Sequence, residues 1–427
     1  MSIFLTKKRN VNRSATLRIA GNIVKTSYSA RSRNEHLASD HQRVKTQLEY
    51  VGEVLEKQGF SNDKVLFSVV GKADDNFVAN VKRITVEKDG KIFKMVAKVA
   101  PEGEMLRAMM KPDLIFKNED IMYSEVLPKV TSLEEDAGIP ESERLKYAKC
   151  YGSLMEAPNE IILLEDLQVS NFVLLDKYKS LTNETVKLIL KDFGKLHAAT
   201  YALKHQEPTK FRQFGEKLHD HMELMAGMEA FELHLGQLEI DAMALTENDT
   251  YKKCLKGALT SMSNNIKKNK AIDINSKYSV IQQGDPWTNN IMFVVEVTNY
   301  YVKCCMIDYQ LSKENTPAAD IMYMIFNCTD YETRAKHYHE WIEYYHDQLE
   351  KYLSNHGLKA NFVYPKDRLD ADLKRWGKVS FAISVMLASM LMRDTAEAAK
   401  LKDAMKLNED INEVLKSTQL IISPFLS

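Results

Sequence analysis

The spacing of apolar residues predicts that the first part of the chain forms mainly strands. Apolar positions three and four residues apart over 41–59 predict a first helix, with Gly59 available to end it. After residue 63 the apolar period shortens to two, which is typical of strands. The predicted strands are residues 64–70, 77–86, 92–100 and 161–164. Asp89-Gly90 lies between the second and third strands and predicts a tight hairpin turn.

The later part of the chain shows the longer period of helices. The predicted helices are residues 116–127, stopped at Pro128, and then 182–203, stretches within 210–270, 331–354 and 370–392. Short strands interrupt them: 279–281, expected to pair with 291–295, and then 301–307. We therefore expect an α+β protein with a small antiparallel-sheet lobe at 41–165 and a larger, mainly helical lobe at 166–427. A basic leader at 1–40 precedes both lobes and is expected to be disordered.

One polar segment between two predicted strands holds candidate catalytic residues. Asp285 is followed five residues later by Asn290, and Asp308 ends the strand that comes next. This is the minimal set for phosphoryl transfer: one carboxylate aligns a hydroxyl and accepts its proton, while an amide and a second carboxylate hold Mg²⁺. The alternative is purely structural, because an Asp-Pro turn followed by Asn residues also ends many hairpins.

The same segment resembles the signature of a known family. The residues Gln283-Gly284-Asp285-Pro286-Trp287-Thr288-Asn289-Asn290-Ile291-Met292-Phe293, followed by Ile307-Asp308-Tyr309-Gln310, are similar to those of the insect ecdysteroid-kinase-like proteins, in the choline-kinase and aminoglycoside-phosphotransferase group. The resemblance covers about residues 45–420. It implies a two-lobed protein-kinase-like fold, with Asp285 as the catalytic aspartate and with Asn290 and Asp308 as the ligands of Mg²⁺.

Two residues of the first lobe match further requirements of a kinase. Lys98 lies on the third predicted strand, where a lysine should meet the α- and β-phosphates of ATP. Glu119, in a segment that resembles the family's F-x-x-E-x-x-x-Y helix, should hold that lysine in place. A strand lysine or a helix glutamate alone is usually only a solvated side chain, but their order and elements agree with the later Asp-Asn-Asp set.

The resemblance also implies contacts with the nucleotide. The phosphate loop should be residues 71–77, with Gly71, Asn76 and Phe77 at the family's positions; its single glycine leaves the backbone less free than two would. Glu165 and Leu167 resemble the hinge whose backbone meets adenine, although a charged turn between lobes gives the same pattern.

Other family positions are interpreted as structural. Asp320 should support the helical lobe, and His197 should be a packed, hydrogen-bonded histidine. Gln283 departs from the family, which usually has His there, although glutamine can make some of the same hydrogen bonds.

Other function classes fit the sequence less well. A protein kinase would need H-R-D and an activation loop, yet only eight residues separate Asp308 from Pro317. The clusters His219-Asp220-His221 and His337/His339/His346 lack an evident common face for a metal, and there is no G-x-S-x-G element of a hydrolase.

Composition and charge restrict the classes of binding partner and the cellular location that we expect. With 58 Lys and Arg against 59 Asp and Glu, the net charge of −1 offers no global field for nucleic acid or anionic membrane. The most apolar stretch, residues 379–392, is shorter than the roughly 20 residues of a membrane span. Five cysteines without a C-x-x-C pair favour a reduced, cytoplasmic protein, although eight Lys and Arg in residues 1–34 also resemble a mitochondrial transit peptide.

These observations predict a monomeric small-molecule kinase that transfers the γ-phosphate of ATP, with Mg²⁺, to an alcohol. The family suggests an ecdysteroid or another hydroxylated apolar compound as the acceptor. The alternative is a catalytically inactive kinase fold that binds a ligand, which the replacement of His by Gln283 and the single-glycine loop would favour.

Overall fold

The structure, a computed structural model, describes residues 45–60, 65–70, 79–101, 104–295 and 301–391. The predicted leader at 1–40 and the predicted phosphate-loop residues Gly71, Asn76 and Phe77 lie outside these ranges.

The first lobe is built on a five-stranded antiparallel sheet. Its strands are β1 (Val65–Val69), β2 (Asn80–Lys88), β3 (Lys91–Val99), β4 (Cys150–Leu154) and β5 (Ile161–Glu165), in the order β1-β2-β3-β5-β4. The predicted turn at Asp89-Gly90 joins β2 to β3, and both residues have positive φ, as a tight hairpin of right-handed twist requires. Residues 45–57 form a helix, α1, whose buried Val54 and Leu55 pack in one cluster with Ile84 and Met95 of the sheet.

A long helical segment connects β3 to β4, and here one prediction is wrong. It consists of α2 (Glu104–Met110), α3 (Pro112–Ile121), a π-helical turn (Met122–Val126) and α4 (Leu127–Asp136). The helix continues through Pro128 instead of stopping there. In the π-helical turn the backbone N–H of Leu127 bonds to Met122 O, five residues back. This wider turn gives the backbone room for a residue that has no N–H, so Pro128 falls in the first turn of α4, where proline is tolerated.

The second lobe is mainly helical. Its helices are α5 (Asn183–Gln206), α6 (Pro208–Lys217), α7 (His221–Met225), α8 (Glu229–Leu245), α9 (Asp249–Leu255), α10 (Met262–Asp273), α11 (Pro317–Cys328), α12 (Tyr331–Asn355), α13 (Ala360–Val363) and α14 (Lys366–Leu391). The pairs α5 with α12 and α11 with α14 pack most extensively, and their apolar faces form the core of this lobe. Thr182 caps α5 by accepting from Thr185 N, at the predicted start of that helix.

The short strands of the second lobe pair differently from the prediction. β7 (Val280–Ile281) pairs with β10 (Glu314–Asn315), whereas β8 (Ile291–Val295) lies between β6 (Phe172–Leu174) and β9 (Tyr301–Met306). The expected pairing of 279–281 with 291–295 is therefore wrong. Residues 282–290 form a loop between two separate sheets, and this loop contains Asp285. Its side chains are fixed by contacts with distant elements, which periodicity does not reveal.

The α+β, two-lobed architecture expected from the sequence is confirmed. Among the described helices, none has the combination of length and apolarity that crossing a membrane demands.

Candidate active site

Lys98 and Glu119 form a buried ion pair between the sheet and helix α3. Lys98 Nζ lies 2.6 Å from Glu119 Oε2, and both side chains are almost fully buried. Burial raises the pKa of Glu119 above its ordinary value, against the opposing effect of the lysine charge. Burial also opposes the charge on Lys98, but Asp308 and Glu119 outweigh this effect and raise the pKa of Lys98. The lysine is therefore held as a cation at a fixed point of the site.

Asp308 lies two residues after the end of β9 and contacts the same lysine. Its Oδ1 lies 2.7 Å from Lys98 Nζ, and its side chain is 23% exposed, more than either member of the Lys98–Glu119 pair. Asp308 has a φ of 59°, in the left-handed region that aspartate tolerates better than most residues. Such backbone conformations recur at functional sites, where the surrounding structure fixes them.

Asp285 is the fourth ionisable group of the cluster, and its surroundings are unusual for a carboxylate. Tyr323 donates its hydroxyl to Asp285 Oδ1, and Asn290 Nδ2 donates to Asp285 Oδ2 at 2.9 Å. Burial raises the pKa of Asp285 to about 7, although the hydrogen bonds from Tyr323 and Asn290 act in the opposite direction. A carboxyl group with a pKa near neutrality is suited to exchange a proton with a reacting hydroxyl.

Asp320 fixes the loop that contains Asp285. Its carboxylate accepts the backbone N–H groups of Gln283 and Gly284, both at 2.9 Å, and lies 3.3 Å from His197 Nε2. His197 is fully buried and its other ring nitrogen lies 2.9 Å from Tyr345 Oη, so it is a packed, hydrogen-bonded residue as predicted. Asp320 thus supports the candidate catalytic loop itself as well as the helical lobe.

A cavity of about 330 Å³ lies between the two lobes and is lined by these groups. Lys98, Glu119, Asp285, Asn290 and Asp308 all line it. The structure therefore brings together the five residues that sequence analysis selected from four separate segments.

The remaining predicted contacts are placed at the edge of the same cavity. Glu165 and Leu167 both line it, at the connection between the lobes. The Glu165 carboxylate lies 3.0 Å from Lys146 Nζ, and Asp166 accepts from Arg83 Nε at 2.6 Å. Side chains of this connection therefore tie it to its neighbours beside the cavity.

Two buried residues that organise the site, Asn118 and Tyr323, were not predicted from the sequence. Asn118 donates to His219 O at 2.8 Å and to Gln310 O at 3.1 Å, and it accepts from His219 N at 2.7 Å. It thereby joins helix α3 of the first lobe to the loop that follows Asp308. Tyr323, on α11, holds Asp285 as described above. The sequence contains no local signal for either contact, because the partners lie far apart along the chain.

The first lobe contains a five-stranded sheet and a buried lysine–glutamate pair, and the helical lobe contains an Asp-Asn-Asp cluster. Together these features define a kinase-like fold and site of the small-molecule phosphotransferase type. The sequence model of the ecdysteroid kinase-like family matches residues 73–358, and this chain belongs to that family. The resemblance inferred from the motifs is confirmed.

Solved structures with a similar chain course include three phosphotransferases or kinases. They are a GDP complex of wild-type aminoglycoside 2'-phosphotransferase-IIIa (TM-score 0.43, 11% identity, 87% of this chain and 97% of that chain), a related aminoglycoside phosphotransferase with GDP and kanamycin (0.41, 11%, 86% and 96%), and a microcompartment-associated aminopropanol kinase (0.33, 10%, 81% and 95%). A comparison with curated protein sequences finds no match.

Proposed function

We propose that this protein transfers the γ-phosphoryl group of ATP to a hydroxyl group of a small apolar molecule. The main support is a single observation: Lys98, Asp285, Asn290 and Asp308 converge on one cavity between the lobes. Each has the chemistry that phosphoryl transfer requires at its position, where catalysis depends mainly on positioning and on neutralising charge.

The nucleotide occupies the part of the cavity beside the sheet in this proposal. Val81 and Val96 of the sheet and Met292 and Ile307 of the second lobe supply apolar walls for adenine. The backbone of 165–167 meets the edge of the base, and the Lys98 ammonium contacts the phosphates. The contribution of Gly71, Asn76 and Phe77 remains a prediction.

The residues near Lys98 fit a magnesium ion. Asp308 supplies carboxylate oxygens, and Asn290 uses its amide nitrogen on Asp285, which leaves its amide oxygen as the candidate ligand. Oxygen ligands suit this hard cation, and in phosphotransferases it needs few protein ligands because phosphates complete its shell. A bound Mg²⁺ would neutralise negative charge on the phosphates. Within the described ranges, no group of three or more His, Cys, Asp and Glu residues could hold a metal alone, which agrees with a site shared with the substrate.

Asp285 is the general base of the proposed reaction. The acceptor hydroxyl gives its proton to the Asp285 carboxylate while its oxygen bonds to the γ-phosphorus, and the bond to the β-phosphate oxygen breaks to release ADP. Tyr323 and Asn290 each donate a hydrogen bond to this carboxylate and so fix its orientation. The surroundings of Asp285 thus support its uptake of a proton and hold its carboxylate in a fixed orientation.

The acceptor side of the cavity is largely apolar. Phe231 of α8 and Trp376, Ile383 and Met386 of α14 line it together with Trp287. These residues favour a hydroxylated apolar compound, such as the ecdysteroid that the family's name suggests, over a polycationic or sugar-like acceptor.

The alternative is a kinase fold that binds a ligand without transferring phosphate. Gln283 motivated it, yet this residue keeps three hydrogen bonds that join the catalytic segments. Purified protein should be incubated with ATP and Mg²⁺ against ecdysteroids, other sterols, plant alcohols and choline, with the product identified by mass. A phosphorylated acceptor, absent with Asp285→Asn, would support the kinase. Absence of both product and Mg-ATP binding would support the alternative.

A further inference from the structure

A second cavity, of about 920 Å³, lies within the helical lobe. Helices α8, α9 and α10 and their connections line one side, and α11, α12 and α14 line the other. Helix α14 borders both cavities with different residues: Trp376 and Ile383 line the interlobe cavity, whereas Gly377 and Phe381 line the second. No described residue lines both, so the second cavity is separate from the proposed active site.

The walls of this helical-lobe cavity are mainly apolar. Leu255, Met322, Phe326, Phe381 and Val385 supply side chains that would remain in contact with water if the cavity held only solvent. Its volume lies within the range of roughly 300–1,000 Å³ that is common for small-molecule sites. A ligand with an apolar body would remove this surface from water, which is favourable in proportion to the area covered.

The charge at the cavity is of one sign. Four basic residues belong to the described lining, and no acidic residue does: Lys256, Arg334, Lys374 and Lys378. The three lysines are exposed as well as lining, which places them at the opening. Of the ion pairs that the described part of the chain forms, none involves one of these three lysines. Lys374 and Lys378 are one helical turn apart on α14 and therefore point to the same side of that helix.

Arg334 lies deeper than the lysines. Its guanidinium is 5.5 Å from the centre of the Phe326 ring, and it donates to the backbone carbonyl of Thr329. Burial lowers the pKa of Arg334, although the Asp330 carboxylate nearby opposes this effect. Burial raises the pKa of Tyr338, and the nearby Asp370 carboxylate raises it further. The acidic residues Asp330 and Asp370 thus lie outside the cavity lining, whereas four basic residues lie within it. Positive charge therefore predominates at the opening of the cavity.

We propose that the helical-lobe cavity binds an amphipathic organic anion, with an apolar body among the helices and one carboxylate at the basic opening, as in a medium-chain fatty acid. A neutral apolar ligand would offer no opposite charge to the three lysines at the opening. A small inorganic anion would leave the apolar walls in water, and a cation would be repelled. Only a ligand with an apolar body and a negative charge matches both the apolar walls and the basic opening.

The test is calorimetric titration of the full-length protein with decanoate, with decanol and with acetate, in the presence and absence of ATP. We expect decanoate to bind measurably, decanol at least about tenfold more weakly, and acetate not detectably. ATP should leave decanoate binding unchanged. Equal binding of decanol would contradict the role of the anion, and displacement of decanoate by ATP would place it in the interlobe cavity.

Location is tested with the double variant Lys374→Glu, Lys378→Glu, which we expect to lower decanoate affinity by roughly tenfold or more. The matched control is Lys267→Glu, Lys268→Glu: both lysines are exposed on α10, outside the cavity lining, and the charge change is the same. The control should keep wild-type affinity, and both variants should keep the wild-type thermal unfolding midpoint. Unchanged affinity in the first variant would overturn the proposal. So would a lack of decanoate binding to the wild-type chain, the result expected if residues 392–427 or another segment filled the cavity.

Discussion

The side-chain amide of Gln283 donates a hydrogen bond to the backbone carbonyl oxygen of Asp308, with 3.0 Å between Nε2 and O. The same amide nitrogen lies 2.9 Å from Ile307 O, and Gln283 Oε1 accepts from Asp285 N at 2.7 Å. One buried side chain therefore joins the segment of the proposed base to the segment of the proposed metal ligand. The departure from the family's usual histidine leaves these connections in place, which favours an active enzyme.

Replacement of Gln283 tests this connection. Gln283→Ala would leave the buried partners of its amide unsatisfied, so we expect a loss of about 2–3 kcal/mol in the free energy of unfolding and a reduced kcat. Gln283→His can keep one donor and one acceptor and should lose clearly less of both. Chemical denaturation and turnover assays measure the two effects. Equal losses in both variants would contradict the role assigned to the hydrogen bonds.

Gly284 cannot be replaced without moving the loop. Its φ is 93°, and an added Cβ would lie 2.1 Å from Leu311 O. We therefore expect Gly284→Ala to abolish turnover and to lower the unfolding midpoint. The control is Gly236→Ala within α8, where nothing lies within 4 Å and alanine should stabilise the helix by up to about 1 kcal/mol. Wild-type turnover by Gly284→Ala would show that the loop is not held as described.

Lys98 should be required for binding of the nucleotide. Lys98→Met removes the cation that faces Glu119 and Asp308, so we expect Mg-ATP affinity to fall at least about tenfold. Lys94→Met is the matched control, because Lys94 lies on the same strand with an exposed side chain. Calorimetric titration with Mg-ATP distinguishes the two. Equal affinity in wild type and Lys98→Met would remove the lysine from the nucleotide site.

The raised pKa of Asp285 predicts a pH-dependent difference in stability. Between the unfolded value near 4 and the folded value of about 7, the folded protein holds a proton that the unfolded chain has lost. This group's contribution to stability is therefore present at low pH and is lost as pH rises toward 7. Asp285→Asn has no such titration. Its free energy of unfolding relative to wild type should increase by on the order of 2–3 kcal/mol between pH 5 and pH 8, measured by urea unfolding. A constant difference would show that the pKa of Asp285 is not raised.

The sequence was sufficient for those parts of the fold that local pattern determines. Helices α5 and α12 and the hairpin of β2 and β3 follow from sustained periodicity and from Asp89-Gly90. The residues gathered at the cavity were found because their order matches a chemical requirement and a family motif. Local pattern failed at Pro128, where a π-helical turn lets the helix continue, and at Val280–Ile281, whose partner strand lies more than thirty residues away.

The residues that support the site could not be predicted from the sequence, for a related reason. Asn118 and His219 are separated by 101 positions, and Tyr323 and Asp285 by 38. Such contacts depend on how complete elements pack against each other. An asparagine on a helix or a tyrosine in an apolar stretch has no local feature that indicates its distant partner.

The most direct test of the central claim is transfer of an isotopically labelled γ-phosphate from ATP to an acceptor alcohol by wild type and by Asp285→Asn in parallel. Both proteins should bind Mg-ATP with similar affinity, because in the proposed mechanism Asp285 acts on the acceptor hydroxyl and does not hold the nucleotide. We predict labelled phosphorylated alcohol with wild type and a rate roughly 10³-fold lower with Asp285→Asn, the size expected for loss of a general base. Label transfer at an equal rate by both proteins would contradict the assignment of Asp285 and, with it, the proposed mechanism.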